Sequence, residues 1–300
     1  MGNQPMETRT RLLLAEDWQD YALLDSGDGL KHERFGSQTV IRPDPQAFWT
    51  PARPTHAWSA DATFEAKGDD NERGQWVVHN PAAPETWPMG WDTLRFEVRR
   101  SPFRHLGVFQ EHSVHWRFAM DRIAQADRPV KVLNLFGYTG MMSLACAAAG
   151  AEVVHLDASP KSNGFGRENQ TLPGLEDRPI RWITDDAMKF VAREGRRGNR
   201  YDAIVLDPPK FGRGPKNETW RFEQDFPALL DGVAELLTPQ PLFVILTAYA
   251  VRLSYLAVAQ ALMDRLAAYG GVMEMGEMAI PQAGGARVLP TALYARWSGA

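Results

Sequence analysis

The second half of the chain alternates short apolar runs with longer helix-forming segments. Residues 132–136, 153–156, 203–206 and 241–247 are runs of mainly Val, Leu and Ile, and the first three stop at a glycine or an acid. Buried strands of a parallel sheet read as continuous apolar runs, and helices between such strands indicate βαβ units. We therefore predict an α/β domain over residues 101–300, built on a parallel sheet.

The C-terminal part of the chain has a different pattern. Two extended runs, residues 272–280 and 291–297, are joined by a segment that contains Gly284, Gly285 and Pro290. We predict that these runs form an antiparallel hairpin that closes a seven-stranded, Rossmann-like sheet. The last strand of a dinucleotide dehydrogenase is parallel, so the hairpin separates the two kinds of α/β protein.

The N-terminal region predicts a second domain. In residues 1–100, short strand-like pieces such as residues 12–14, 39–42 and 75–78 are separated by Pro, Gly and Asp. This punctuation is typical of short strands and turns, so we predict a small β-rich (α+β) domain. We expect this domain to take part in substrate recognition.

A glycine turn marks a candidate cofactor site. Gly137 and Gly140 lie between the first apolar run and the helix-forming residues 141–149, and Asp157 follows the next run. Glycines let the backbone approach a ligand, and an acid about twenty residues further on commonly binds a ribose diol. The Gly-x-x-Gly spacing disfavours pyrophosphate and favours an adenosine cofactor without phosphates, which S-adenosylmethionine (SAM) is. The alternative is a plain tight turn, with Asp157 as a helix cap.

A third acidic position follows the strand-like residues 181–183. Asp185 or Asp186 could accept a hydrogen bond from an adenine amino group, with Ala187 leaving room for the ring. Either acid could instead cap a helix over residues 187–194, and the two roles are compatible. The predicted cofactor contacts are Phe109, Asn134, Phe136, Gly137, Thr139, Gly140, Asp157, Asp185, Asp186, Ala187 and Asp207.

The fourth apolar run ends in the segment Asp207-Pro-Pro-Lys-Phe. Two prolines cannot join a sheet ladder, so they fix the backbone just beyond Asp207. In nucleobase methyltransferases an Asp/Asn-Pro-Pro-aromatic tetrad holds the edge of the target base and stacks on its face. We predict Asp207, Pro208 and Phe211 as catalytic residues. Here Lys210 moves the aromatic ring one place later than in the tetrad, which leaves the target atom open.

Two basic clusters compete as substrate contacts. One consists of Arg193, Arg196, Arg197 and Arg200. It precedes the fourth strand, so we expect a solvated loop at the far end of the sheet. The second follows Asp207, and its predicted substrate contacts are Lys210, Phe211, Arg213 and Trp220. Basic and aromatic side chains together suit phosphate contact and base stacking, although an ordinary exposed loop would read the same way.

Residues of about 20 to 298 resemble the class I SAM-dependent methyltransferases related to the large-subunit ribosomal RNA methyltransferases, which act on cytosine or guanine. The matching segments are residues 24–29, 33–36, 42–47, 132–140, 207–211 and 289–290. The resemblance implies a SAM-binding fold, an RNA substrate and a small N-terminal β-rich domain. It also implies that Phe109, Gln110 and Glu111 cover the methionine end of SAM.

The single cysteine tests the cytosine branch of that family. Methylation at carbon 5 of a pyrimidine needs a thiolate that first adds to the ring. Cys146 is the only Cys in the chain and lies within the predicted helix 141–149. The family's cysteine position corresponds here to residues 246–249, which lack a thiol. We therefore expect direct in-line transfer to nitrogen or oxygen. The spacing of His105, His112 and His115 in the sequence matches no metal-binding motif, so we predict no metal site.

Composition narrows the class of protein further. The net charge is −4, which argues against nonspecific coating of nucleic acid but still allows a local basic patch to bind ribosomal RNA. The sequence shows neither an apolar stretch long enough for a membrane span nor a signal region, so we expect a cytoplasmic enzyme with an unknown oligomeric state. The alternatives are a small-molecule or protein methyltransferase, a noncatalytic RNA-binding relative and an NAD-dependent oxidoreductase.

Overall fold

The computed structural model describes residues 6–68, 72–172, 174–249 and 251–299. The strands within these ranges are β1 (Glu7–Leu14), β2 (Tyr21–Gly27), β3 (Leu30–Phe35), β4 (Gln38–Pro43), β5 (Ala62–Ala66), β6 (Gly74–Val78), β7 (Thr86–Trp91), β8 (Leu94–Arg99), β9 (Lys131–Leu135), β10 (Glu152–Asp157), β11 (Ile180–Thr184), β12 (Ala203–Leu206), β13 (Phe211–Arg213), β14 (Thr219–Arg221), β15 (Phe243–Ala248), β16 (Val272–Pro281) and β17 (Val288–Ser298). The α-helices are α1 (Ser113–Ala124), α2 (Met141–Ala148), α3 (Pro160–Gln170), α4 (Ala187–Arg197), α5 (Phe222–Glu235) and α6 (Tyr255–Leu266).

The large sheet has the strand order β1-β16-β17-β15-β12-β9-β10-β11. Strands β15, β12, β9, β10 and β11 are parallel, and β17 runs antiparallel to β15. The predicted α/β class and the antiparallel closing strand are confirmed. The interior strands β12 and β15 are buried along their whole length, as their continuous apolar sequences require.

The described part of the sheet has eight strands rather than the predicted seven. Residues 12–14, which the sequence pattern assigns to the N-terminal domain, lie in β1 beside β16 at the sheet edge. Gly276 makes this close pairing possible, because an added Cβ would lie 2.1 Å from the carbonyl oxygen of Arg11. A local apolar pattern shows that a strand exists but not which distant strand it joins.

The helices cover the sheet with apolar side chains, as α4 illustrates. Ala187, Phe190 and Val191 are buried on one face, at the spacing of an amphipathic helix. The helix was predicted over residues 187–194 and continues to Arg197, where Gly198 adopts the left-handed conformation that ends many helices. Within the described ranges, no helix is long and apolar enough to cross a membrane.

The chain divides into two compact units. The β-rich unit comprises Leu14–Ser113 and Ala279–Thr291, and the sheet unit contains the remaining residues. The sequence placed a single boundary at residue 100, whereas the β-rich unit extends to Ser113 and includes a segment from near the C-terminus. Gln282 holds this segment in place, since its Nε2 donates to Asp25 Oδ1 at 3.1 Å. The unit contains the sheet β2-β3-β4-β5-β6 and the hairpin β7-β8.

Candidate active site

Three strands of the sheet unit bring the predicted site residues to one edge of the sheet. Strand β9 lies between β10 and β12, and Leu135 pairs with both Leu156 and Leu206. The residues that follow these strands therefore emerge side by side at their carboxyl ends, where open α/β sheets bind ligands. The glycine turn, Asp157 and Asp207 are brought together in this way.

The glycine turn has an unusual backbone. Phe136 and Tyr138 have φ angles of +57° and +52°, and Gly140 has φ +84°. Non-glycine residues rarely occupy this region, and such strain persists only where the surroundings over-determine it. Gly137 N donates to Leu156 O at 2.9 Å, and Gly140 N donates to Gly137 O at 2.9 Å. Strain held in this way is typical of a ligand-binding loop.

The two glycines are required by packing beneath the loop. A Cβ at Gly137 would lie 2.3 Å from His155 Cε1, and one at Gly140 would lie 2.4 Å from the Trp182 ring. The glycines are predicted from the sequence to let a ligand approach, and in the structure the protein's own His155 and Trp182 rings already fill one side of the turn. The loop therefore packs against the rings of His155 and Trp182.

A buried network of hydrogen bonds holds the His155 ring in place beneath the loop. Asn134 Nδ2 donates to Ser143 Oγ at 2.9 Å, and Ser143 Oγ lies 2.9 Å from His155 Nδ1. Burial lowers the pKa of His155 to about 3, so the ring is neutral at physiological pH. The side chain of Asn134, a predicted cofactor contact, lies beneath the loop with 2% exposure.

Asp157 is held in place by two backbone donors. Its Oδ2 accepts from Tyr138 N at 2.8 Å and its Oδ1 accepts from Ser159 N at 2.8 Å. Burial raises the pKa of Asp157, these donors oppose the rise, and the carboxylate of Asp207 adds to it. The following helix is capped by Ser159 rather than by Asp157. Each carboxylate oxygen can accept a further hydrogen bond, so Asp157 fits a ribose diol.

The next two acids have separate partners. Asp186 is the N-cap of α4 and accepts from Lys189 N at 3.0 Å. Asp185 Oδ2 lies 2.6 Å from Arg193 Nη2. Arg193 therefore contacts the carboxyl end of β11, which corrects its assignment to a solvated loop at the far end of the sheet. The neighbouring Ala187 is buried.

Asp207 receives a hydrogen bond that the sequence analysis missed. Thr247 Oγ1 donates to Asp207 Oδ1 at 2.5 Å, and Thr247 is 1% exposed. The parallel register pairs Leu206 with Leu246, so the following residues, Asp207 and Thr247, are neighbours. The sequence alone does not predict this contact, because the two residues are forty positions apart. Only the register between β12 and β15 shows that they are neighbours.

A small hairpin, β13-β14, follows the prolines and presents Phe211. Phe211 is 53% exposed, and the Arg213 guanidinium lies 5.7 Å from its ring centroid. Lys210 is also exposed. Lys189 Nζ lies 2.6 Å from Glu218 Oε1, which links the hairpin to the first turn of α4.

Trp220, in strand β14 of the hairpin, is buried rather than exposed. It is 5% exposed, its Nε1 donates to Pro209 O at 2.6 Å, and its ring centroid lies 5.1 Å from that of Phe136. This corrects the expectation that Trp220 is accessible for substrate contact. The indole instead connects the glycine turn to the segment after Asp207.

Two further residues considered from the sequence are Phe109 and Cys146. Phe109 belongs to the β-rich unit, where its ring centroid lies 4.5 Å from that of His105. Cys146 is fully buried in α2, and burial raises the pKa of its thiol to about 12. Among the described residues, no group of three or more His, Cys, Asp or Glu side chains could hold a metal ion.

The parallel sheet with an antiparallel closing strand and a strained glycine turn defines a Rossmann-like class of adenosine-cofactor proteins. A family model described as S-adenosylmethionine-dependent methyltransferase matches residues 38–261, and the chain belongs to this family. The predicted family and the cofactor SAM are thereby confirmed.

Relatives with known names agree with this family. The crystal structure of the SAM-dependent methyltransferase from Agrobacterium tumefaciens is 45% identical, with a TM-score of 0.92 over 99% of this chain and 97% of that one. Ribosomal RNA large subunit methyltransferase K/L of Shewanella frigidimarina is 29% identical over 147 residues, 48% of this chain and 20% of the relative. Ribosomal RNA large subunit methyltransferase I of Aeromonas salmonicida is 38% identical over 96 residues, 32% and 24% of the two chains. The chain thus spans about a fifth of the length of the curated relatives it matches.

Proposed function

We propose that this enzyme methylates a base in large-subunit ribosomal RNA by direct in-line transfer, without a covalent cysteine intermediate. The observation that carries the proposal is the hairpin after Asp207, which exposes Phe211 with Arg213 beside its ring. An aromatic face and a guanidinium together suit a base and its phosphate. The names of the ribosomal RNA methyltransferase relatives support the same substrate class.

The cofactor site is assigned to the glycine turn and the neighbouring acids. Bound SAM supplies a methyl group on a positively charged sulfur. Asp157 accepts the ribose hydroxyls with the lone pairs that its two backbone donors leave available. Asp185 and Ala187 form the adenine side of the site, while Asp186 is occupied as a helix cap. Phe136, Gly137, Thr139 and Gly140 line the turn.

The acceptor site is assigned to Asp207, Pro208 and Phe211. The Thr247 hydroxyl fixes the orientation of the Asp207 carboxylate, which then aligns the acceptor group together with the Pro208 carbonyl. Phe211 packs on the face of the base. Such alignment is the main contribution the protein needs to make, because holding reactants in line removes much of the entropic barrier.

Methylation at carbon 5 of cytosine requires a cysteine nucleophile, and the sequence places no cysteine near Asp207. Cys146 is enclosed in α2, and its raised pKa keeps the thiol protonated and unreactive. Residues 246–249 at the end of β15 contain no cysteine. A nitrogen or oxygen acceptor therefore fits this chain better than carbon 5 of cytosine.

The test is methylation of an unmodified large-subunit ribosomal RNA transcript with tritiated SAM. We expect Asp157→Ala to weaken SAM binding about tenfold or more, as loss of charge-assisted hydrogen bonds does, and Asp207→Ala to abolish turnover while SAM affinity is retained. Cys146→Ala is the matched control and should remain active. Unchanged SAM affinity in Asp157→Ala would overturn the cofactor assignment. Labelling of protein or small metabolites, with the RNA unlabelled, would replace the substrate assignment.

A further inference from the structure

A loop of the β-rich unit displays an aromatic side chain to solvent. Phe48 lies between β4 and β5 and is 85% exposed, the highest value among the large hydrophobic residues that the structure describes. Exposing a whole Phe ring forgoes the free energy of its burial. A single exposed apolar residue is common on protein surfaces. Whether Phe48 has a function must therefore be judged from the backbone that holds it and from the charges nearby.

The backbone around Phe48 is anchored on both sides. Gly29 N donates to the carbonyl of Ala47 at 2.8 Å, and Asp28 N donates to the carbonyl of Trp49 at 2.8 Å. The Trp49 indole donates to Ser26 O at 2.9 Å. The residues immediately before and after Phe48 are therefore fixed, so its ring is displayed by an ordered loop rather than by a frayed one.

The far end of the loop is anchored as well. The buried Asp25 carboxylate accepts from Ala52 N at 3.1 Å and from Arg53 N at 2.9 Å. At Gly27 an added Cβ would lie 2.4 Å from Pro51 N, so the loop packs directly on the turn between β2 and β3. Ordering before binding lowers the entropic cost of binding.

Two arginines are associated with the loop that carries Phe48. Arg287 Nη1 donates to Thr50 O at 2.6 Å, which fixes one guanidinium at the residue two positions after Phe48. Arg53 is exposed at the end of the loop. Of the neighbouring acids, Asp44 is buried and lies 3.1 Å from Lys31 Nζ, and Asp28 is exposed.

We propose that Phe48, Arg53 and Arg287 form a contact surface for a single-stranded segment of the substrate RNA. A base stacks on Phe48, since every base offers an aromatic face, and the guanidinium groups bind the adjoining phosphates. This inference rests on the proposed RNA substrate and extends it to the β-rich unit.

The test measures binding of a fluorescently labelled single-stranded oligouridine and of the large-subunit ribosomal RNA transcript to the full chain. Phe48→Ala should raise the Kd for both probes about tenfold, the effect of losing one stacked base, and Phe48→Trp should restore binding. Arg287→Ala should lower the slope of log affinity against log salt by about 1. SAM affinity and thermal unfolding should match the wild type.

Val78→Ala is the matched control. Val78 is a 44% exposed apolar residue of the same unit without an aromatic ring, and its truncation should leave RNA binding unchanged. If the wild type methylates the transcript while Phe48→Ala keeps its Kd and KM, this inference fails and the proposed function stands. If the wild type neither binds nor methylates RNA, both fail. Loss of self-association in Phe48→Ala would assign the surface to a second copy of the chain and overturn the RNA assignment.

Discussion

At the carboxyl edge of the sheet, four aspartates differ in what their carboxylate oxygens already bind. Asp186 caps α4 and Asp185 is paired with Arg193. Asp157 receives two backbone N–H groups, and Asp207 receives the hydroxyl of Thr247. Uncharged donors therefore fix the orientation of the Asp157 and Asp207 carboxylates. We infer that Asp157 binds the cofactor directly and that Asp207 binds the acceptor directly.

The first prediction concerns Thr247. Thr247→Val keeps the shape of the side chain but removes the hydroxyl that donates to Asp207. A hydrogen bond to a charged group contributes about 1.5–3 kcal/mol, so we expect kcat to fall about tenfold as the carboxylate loses its orientation. SAM affinity, measured by calorimetry, should not change. Thr247→Ser retains the hydroxyl and should retain kcat. Equal turnover in the Val and Ser variants would show that this hydrogen bond has no part in positioning Asp207.

At the scale of elements, the hairpin β13-β14 is joined to the site by a few specific contacts. Trp220 binds the Pro209 carbonyl and packs on Phe136, and Glu218 pairs with Lys189. A two-stranded hairpin is only marginally stable by itself. These contacts therefore decide where Phe211 is presented.

The second prediction concerns Trp220. Trp220→Phe preserves an aromatic ring against Phe136 but removes the donor to Pro209 O. We expect a loss of about 1 kcal/mol in the free energy of unfolding, together with a higher KM for RNA. The matched control is Trp76→Phe, which removes an indole hydrogen bond to Ser101 O in the β-rich unit. Trp76→Phe should lose similar stability and keep KM. A raised KM in both variants would attribute the effect to general destabilisation.

The elements also show which features local sequence could predict. The segment β9–α2–β10 was correctly placed, because an apolar run, a glycine turn and a helix-forming stretch lie within a few residues of one another. The edge position of β1, the return of residues 279–291 to the β-rich unit and the burial of Trp220 depend on partners far away in the chain. Thr247 became visible only through the pairing of β12 with β15.

At the scale of the whole molecule, the β-rich unit depends on ionised carboxylates. Burial alone would raise the pKa of Glu33, but the Arg42 guanidinium at 2.7 Å lowers it overall. The pKa values of Asp25 and Asp61 are likewise lowered, because backbone and side-chain donors outweigh burial. A carboxyl group with a lowered pKa stabilises the fold only while it is ionised.

The third prediction follows from Glu72. Burial opposes ionisation of Glu72, but hydrogen bonds from His105 and Arg104 lower its pKa from 4.5 to about 2. The stabilisation is complete above pH 4.5 and is lost as the pH falls towards about 2. We expect the β-rich unit to lose stability over this range. Six of the ten tryptophans lie in the β-rich unit, so tryptophan fluorescence during acid titration reports mainly on it. Glu72→Gln removes this titrating carboxyl group, so the stability of the β-rich unit should fall less steeply as the pH is lowered. An acid transition with the same steepness in Glu72→Gln would assign the loss to other groups.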